Sequence, residues 1–398
     1  MELELSALTS ADVEELISTR RDLHRHPELG FEEIRTSGLV ARRLTELGIP
    51  HRTGVGKTGV VALVGAGAAG RPRGKVVLLR ADMDALPIQE ENDVPYRSTV
   101  DGKMHACGHD CHTSTLLTVA RALKRDEPSL GGTVKLCFQP AEEGFSGAEA
   151  MIRDGALEDP RPDAAFGYHV AQDLDLGTVS ATPGPFMAAV DEFAVTLKGK
   201  GSHAAHPDLG VDPVLAAAHV TAALQSIVSR NVSPLLAAVV SVTQIKAGTA
   251  FNIIPETCWM NGTVRVFDTR VWEELPRLFE RVVRNTAAAL GCEAEIDYTR
   301  KHRATVNDSD MAAFARDVAA EVVGRENVRS DWCTMGGEDF SSFLHEVPGC
   351  FLMVGSRNRE RGLVFGHHHP RFDVDERGMQ IGAEILTRIA RKFVGAGA

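Results

Sequence analysis

The sequence predicts an α/β protein built on a mostly parallel sheet, with a smaller antiparallel domain inserted into it. Two observations carry this. Four short apolar runs (Val76–Leu79, Val134–Phe138, Ala164–Tyr168 and Phe351–Val354) each lead into a cluster of polar, reactive side chains. Continuous apolar runs separated by helical stretches mark strands buried on both faces of a parallel sheet. Between about Met187 and Tyr298 the rhythm changes to strand, helix, strand, strand, helix, strand, the order of a ferredoxin-like domain.

In chain order, the segment before His26 has the pattern of an amphipathic helix and lacks the apolar centre of a signal peptide. Val60 to Val64 reads as a strand. After it, Gly65, Gly67 and Gly70 match a dinucleotide fingerprint in letter, but Arg71-Pro72-Arg73-Gly74 and another strand follow where a phosphate-binding helix would have to start. Nicotinamide and flavin binding are therefore rejected. Thr115 to Lys124 reads as a helix. In the insertion, Phe193–Leu197, Ala238–Ile245, Thr257–Phe267 and Glu293–Tyr298 read as strands. Asp212–Ser229, opened by Asp-Pro, and Thr269–Leu290 read as helices. Asp308–Val323 returns to the alternating pattern. The expected division is 1–186 with 300–398 for the α/β domain and 187–299 for the insertion.

At 398 residues two domains are the natural expectation. The composition, 43% hydrophobic and 24% charged, is that of a globular chain. A net charge of −11 argues against a nucleic-acid partner, and no apolar run reaches membrane-spanning length. Seven cysteines without regular spacing suit free thiols in a reducing, cytoplasmic setting.

In parallel sheets, ligand and catalytic groups gather beyond the carboxyl ends of the strands. Four clusters in that position imply one shared site. The densest is His105-Ala-Cys107-Gly-His109-Asp110-Cys111-His112, rich in donors for zinc-like metals. It lacks the paired spacings of a closed structural zinc site. Glu142-Glu143 after the second apolar run offers a division of labour: one carboxylate to hold metal, its neighbour to shuttle a proton. His169 ends the third run as read from the sequence, and His367-His368-His369 follows the fourth. Arg265, on an inserted strand, is a candidate for a substrate carboxylate because guanidinium forks onto carboxylates. His24 and His26 are read as structural.

Together these pieces resemble the aminoacylase/carboxypeptidase family of two-metal metallopeptidases. The likeness is greatest to its amidohydrolase branch of N-acyl-amino-acid, hippurate and indole-acetyl-amino-acid hydrolases. It rests on Leu23-His-Arg-His-Pro-Glu-Leu29, Arg80-Ala-Asp-Met-Asp-Ala-Leu-Pro87, His105-Ala-Cys-Gly-His-Asp110 and Gln139-Pro-Ala-Glu-Glu-Gly144. It continues through Gly199-Lys-Gly-Ser-His203, Phe251-Asn-Ile-Ile-Pro-Glu256 and Gly337-Glu-Asp-Phe340. The resemblance implies two divalent ions per subunit (zinc, manganese, cobalt or nickel) on a catalytic α/β domain, and an inserted lid through which subunits dimerise. Carried over by position, the ligands are Cys107 as a bridge, His109, Glu143, His169 and one histidine of 367–369, with His368 selected by its distance from Pro370. Glu142 becomes general base and acid towards a metal-activated water. Asp84 orients the site, His203 stabilises the oxyanion, and Asn252 contacts substrate. The implied reaction hydrolyses N-acyl amino acids to a carboxylic acid and a free amino acid. Neighbouring alternatives are a dipeptidase or an N-carbamoyl-amino-acid hydrolase. A thiol enzyme using Cys107 would be a different class, and so would a metal-binding protein without catalysis, which has no use for Glu142.

Overall fold

A computed structural model describes residues 5–65 and 74–395, so residues 66–70 of the glycine-rich fingerprint lie outside the described part. Contacts divide the chain into two compact units. The first comprises 1–186, 306–333 and 339–398, and the second 187–305 with 334–338.

The first unit is organised by an eight-stranded sheet. Across it lie His51–Val55, Gly59–Gly65, Thr133–Gln139, Val76–Asp82, Ala164–Asp175, Gly349–Arg357, Val179–Ser180 and Val328–Arg329. The four strands carrying the apolar runs are adjacent and mutually parallel, while the Gly59–Gly65 and His51–Val55 edge is antiparallel. Val76–Asp82 and Thr133–Gln139 are buried along their whole length, as expected of strands covered on both faces. The chain leaves Val76–Asp82 for the strand on one side and later returns to pair on its other side. Such a change of direction opens a crevice at the strand's carboxyl end.

The flanking helices begin where local chemistry allows. Ser10–Arg25 is opened by a capping box in which Thr9 and Asp12 satisfy each other's backbone N–H groups. Ser309–Val323 is capped by Asp308. Apolar side chains from these helices and from the sheet form one continuous core that includes Leu16, Val77, Leu79, Leu136, Phe166 and Ile385. Each fully buried Val, Leu, Ile or Phe contributes about 1.5–3 kcal/mol.

Two elements differ from the sequence reading. The helix after the cysteine-histidine cluster is His109–Arg125, starting six residues before Thr115, so the second half of the cluster is itself helical. Tertiary bonds to Asp110, His112 and Thr113 hold that first turn, overriding its weak helix propensity. The third parallel strand runs on to Asp175, so His169 lies within it rather than after it. Pairing with Gly349–Arg357 continues past His169 as far as Asp175.

The second unit is a four-stranded antiparallel sheet, Ala189–Lys198, Ala238–Ala247, Thr257–Val266 and Glu293–His302, in the spatial order second, third, first, fourth. Its helices are Pro213–Ser226, capped by Asp212, and Thr269–Ala289, capped by Asp268. They bury Leu224, Leu275, Phe279 and Val283 with the sheet residues Val195, Leu197 and Met260. The 299/300 boundary read from the sequence falls inside Glu293–His302, which pairs with the first strand as far as Val190↔His302. No described helix of the chain is long and apolar enough to cross a membrane.

Arg20 carries much of the polar load of the first unit. Fully buried, it donates to Asp110 at 2.9 Å and Asp373 at 2.8 Å, and Asp110 also holds His24 Nδ1 at 2.7 Å. Removing one partner of a buried ion pair leaves an uncompensated charge. Arg20→Met is expected to lower unfolding stability by about 3–5 kcal/mol, measured by denaturant titration. A loss of no more than about 1 kcal/mol, the scale of a surface pair, would show that the cluster contributes little.

Candidate metal centre

Asp84, buried two residues past the strand Val76–Asp82, organises the centre. Its Oδ1 lies 3.2 Å from His109 Nδ1 and accepts the Glu142 N–H at 3.0 Å; its Oδ2 accepts the Glu143 N–H at 2.9 Å. One carboxylate thus joins the helix that bears His109 to the turn that bears both glutamates. That turn is irregular. Ala141 and Ser146 both have left-handed backbone (φ 54° and 57°), and Glu143 departs from helical geometry. The two left-handed conformations cost of order 1–3 kcal/mol each and persist where surrounding bonds over-determine them. Here the bonds are those from Asp84 and that of the Ala141 N–H to Glu33.

Gly108 separates Cys107 from His109 and caps the helix with φ 92°. A Cβ at this position would lie 2.5 Å from Val170 Cγ2, so both backbone sign and space require glycine. Cys107 Sγ lies 3.4 Å from His169 Nε2. His169 Nδ1 faces the Val170 carbonyl at 2.6 Å, which places its proton there and leaves Nε2 with a lone pair. His109 Nε2 is buried and makes no hydrogen bond.

The three consecutive histidines have different surroundings. His367 is packed against His169 and Phe372, and its Nε2 accepts the Gln172 N–H at 3.4 Å. His369 stacks on Phe365 and accepts the Arg371 N–H. His368 has a left-handed backbone (φ 65°), and its Nε2 lies 3.2 Å from Glu143 Oε1.

These atoms fall into two overlapping groups. The donor atoms of Cys107, His109 and His169 lie within 4.8 Å of one another, as do those of Cys107, Glu143 and His368. Cys107 belongs to both. One thiol, three imidazoles and a carboxylate suit divalent zinc-like ions, and with His109 Nδ1 turned to Asp84, the buried Nε2 makes no hydrogen bond and has a lone pair to offer a cation. The residues therefore fit two such cations. Glu142 lies beside them, its Oε2 4.0 Å from His109 Nε2.

The electrostatics point the same way. Burial pushes the Cys107 thiol well above its ordinary value, and Glu143 and Glu142 push it further. Burial lowers His109, but Asp82 and Asp84 outweigh it and raise it to about 10. Burial, with His112 and His367 nearby, holds His169 well below the ordinary histidine value, hence neutral and able to ligate. Negative charge dominates around a thiol that a cation would ionise.

His203, Asn252 and Arg265 belong to the second unit. His203 pairs with Ile253, and the Ala204 N–H donates to the Asn252 carbonyl, so these two motifs form one short ladder. The Ala205 N–H occupies His203 Nδ1, which puts the proton on the exposed Nε2. Arg265 is half-buried on the strand Thr257–Val266 and donates to Thr263. It lines an open recess of about 290 Å3 with Glu192, Asn261 and Asp297. Burial lowers its pKa, with Glu192 and Asp191 opposing, so acidic side chains already face this guanidinium. His24 is buried between Asp110 and Glu90, and His26 faces the Asp22 carbonyl. Sequence reasoning gave no role to Asp82, His112, Arg80, Gln139 or Asp339, which form a buried network beneath the donors. They stand inside or beside the motifs, but nothing in a linear pattern shows their burial.

Residues 78–392 match peptidase family M20/M25/M40. The chain is 41% identical over 383 residues to IAA-amino acid hydrolase ILR1-like 4 of Arabidopsis thaliana, covering 95% of this chain and 86% of that protein. It is 40% identical over 380 residues to N-acetylcysteine deacetylase of Bacillus subtilis, covering 94% and 96%. Among solved structures, a dinuclear metal binding peptidase of family M20 from Bacillus subtilis, the YXEP protein, superposes with a TM-score of 0.81 at 35% identity, covering 96% and 98%.

Because Asp84 orients three groups at once, Asp84→Asn is expected to weaken cation binding about 10–100-fold. Competition with a chromophoric chelator measures this, and circular dichroism checks that the chain is folded. Unchanged affinity would place Asp84 outside the metal-binding apparatus.

Proposed function

The chain belongs to peptidase family M20/M25/M40, and on that premise we propose that it is a metal-dependent amidohydrolase of N-acyl amino acids, releasing a carboxylic acid and a free amino acid. The carrying observation is the junction at Asp84, which sets Glu142 beside two donor groups that share Cys107. The two relatives are named for N-acylated amino acids, an IAA conjugate and N-acetylcysteine, and this supports the substrate class.

Cys107, His109 and His169 would hold one divalent ion, and Cys107, Glu143 and His368 the other, with zinc, manganese, cobalt and nickel all compatible with the N, S and O donors. When bound, the pair supplies Lewis acidity, polarising the acyl carbonyl and lowering the pKa of water. Glu142, whose backbone is anchored while its carboxylate faces the donors, takes a proton from the attacking water as the oxygen bonds to the acyl carbon. The C–N bond breaks as Glu142 passes that proton to the leaving nitrogen. His203, with its proton on Nε2, is assigned to the developing carbonyl oxygen charge, and Asn252, on the same short ladder, to substrate contact. The second unit serves as lid. A cytoplasmic setting agrees with seven unpaired cysteines.

A homodimer through the second unit completes the reading. That unit exposes Leu209, Leu215, Leu235, Phe251 and Ile253, apolar side chains that a second copy could cover.

A panel of N-acetyl, N-benzoyl and longer-chain acyl amino acids, with dipeptides as controls, tests the substrate class. Hydrolysis of dipeptides alone would overturn it. Chelation should abolish turnover, and the divalent ions should restore it. Glu142→Gln should keep both cations and lose about 10²–10⁴-fold in kcat, whereas Glu143→Gln should lose metal; near-normal turnover in Glu142→Gln would require another base.

His203→Ala and Glu142→Gln subunits, each inactive alone, should recover part of the activity when mixed, because one site of a mixed dimer would retain Glu142 and receive the partner's intact histidine. Absence of recovery despite demonstrated subunit exchange would restrict His203 to its own chain.

A further inference from the structure

His112 stands outside both donor groups, one helical turn after His109, and is fully buried. Both of its ring nitrogens are engaged. Nδ1 lies 2.6 Å from Asp82 Oδ1, and Nε2 accepts the Val170 N–H at 3.0 Å. A backbone N–H can only donate, so Nε2 carries the lone pair and Nδ1 the proton. The ring therefore has no free electron pair for a cation, although Asp82, His109 and His112 lie close enough together to suggest a third metal group.

Its position gives it another task. The ladder between Val76–Asp82 and Ala164–Asp175 ends at Arg80↔Gly167, but the second strand continues through His169 and Val170. Beyond that point the strand has lost its neighbour on one side, and a buried N–H left there would be orphaned at a cost. His112 Nε2 takes the place of the missing strand. Its ring also lies against that of His169, with centroids 4.4 Å apart. Behind it, Asp82 Oδ2 receives Arg80 Nη1 at 2.7 Å. Arg80 in turn donates to Gln139 and to Asp339, and Asp339 accepts the Ala148 N–H. The whole chain is buried, so Asp82 cannot easily turn away.

We propose that His112 is a positioning residue for His169: Asp82 holds its proton on Nδ1, and its Nε2 clamps the Val170 N–H so that the preceding imidazole is aimed at the cation shared with Cys107 and His109. The inference rests on His169 being a metal ligand.

Cobalt(II) titration of the metal-free chain, followed by visible absorption, tests it. Wild type should take up two equivalents. His112→Asn keeps a donor towards Asp82 but presents no acceptor to Val170. One of its two cobalt sites should weaken about 10–100-fold, with an altered spectrum for that site alone, and kcat should fall with KM little changed. His112→Gln can place an oxygen where Nε2 stood and should restore most of the affinity, a rescue that a space-filling role would not produce. Two unaltered cobalt sites in folded His112→Asn would overturn the inference, as would equal loss at both sites without rescue by glutamine. If His112→Asn does not fold, His112→Gln decides: two retained sites support the clamp, and loss of both overturns it. A wild type that binds no cobalt would remove the premise and the reading of the centre together, whereas two wild-type equivalents with an unaltered variant would remove the clamp alone.

Discussion

The centre depends on a carboxylate that is assigned to no metal. Asp84 accepts two backbone N–H groups from the Glu142-Glu143 turn and faces His109 Nδ1. Together with Glu33, which accepts the Ala141 N–H, those contacts fix the turn that runs between the left-handed residues Ala141 and Ser146. Proton transfer and cation binding both need side chains placed to within fractions of an ångström. A turn with strained backbone can supply that placement only when something rigid dictates its shape. Asp84 is held in place by its own burial, two residues past a strand buried along its full length.

Placing so many charges in the interior has consequences for the rest of the first unit. Asp82, Asp84 and Asp110 are all buried, and each would be costly alone. Arg20 and Arg80 answer two of them: Arg20 pairs with Asp110 and Asp373, and Arg80 with Asp82, Gln139 and Asp339. The histidines divide accordingly. His24 and His112 are saturated by protein partners, whereas His109 Nε2 lacks one. Within one eight-residue cluster, His112 is thus held at both nitrogens while His109 keeps one nitrogen unengaged beside Cys107 and His169, and residue identity alone does not reveal it.

The same limit explains where linear reading went astray. His109 to Ser114 looked non-helical because histidine, aspartate, cysteine and threonine are poor helix formers. Bonds from Asp82, Arg20 and His24, distant in sequence, decide the matter. His169 looked like a strand end because the apolar run stops at Tyr168, but Gly349–Arg357 goes on pairing beyond it.

What the sequence determined by itself was the architecture and the inventory of reactive groups. Four apolar runs too uniform for a half-exposed sheet required burial on both faces, which made them parallel, and their endings required one common site. The order of elements between Met187 and Tyr298 likewise specified the second unit's topology. These are properties of periodicity and order, which a chain carries along its length. Tertiary structure decided which of several identical side chains does what. Among His367, His368 and His369, only His368 turns a ring nitrogen towards Glu143, by way of a left-handed backbone that no pattern in the sequence announces. Between Asp82 and Asp84, one secures His112 and the other the Glu142-Glu143 turn. An imidazole or carboxylate becomes ligand, base or brace according to which of its lone pairs its neighbours have already taken, and those neighbours come from strands and helices far apart in the chain.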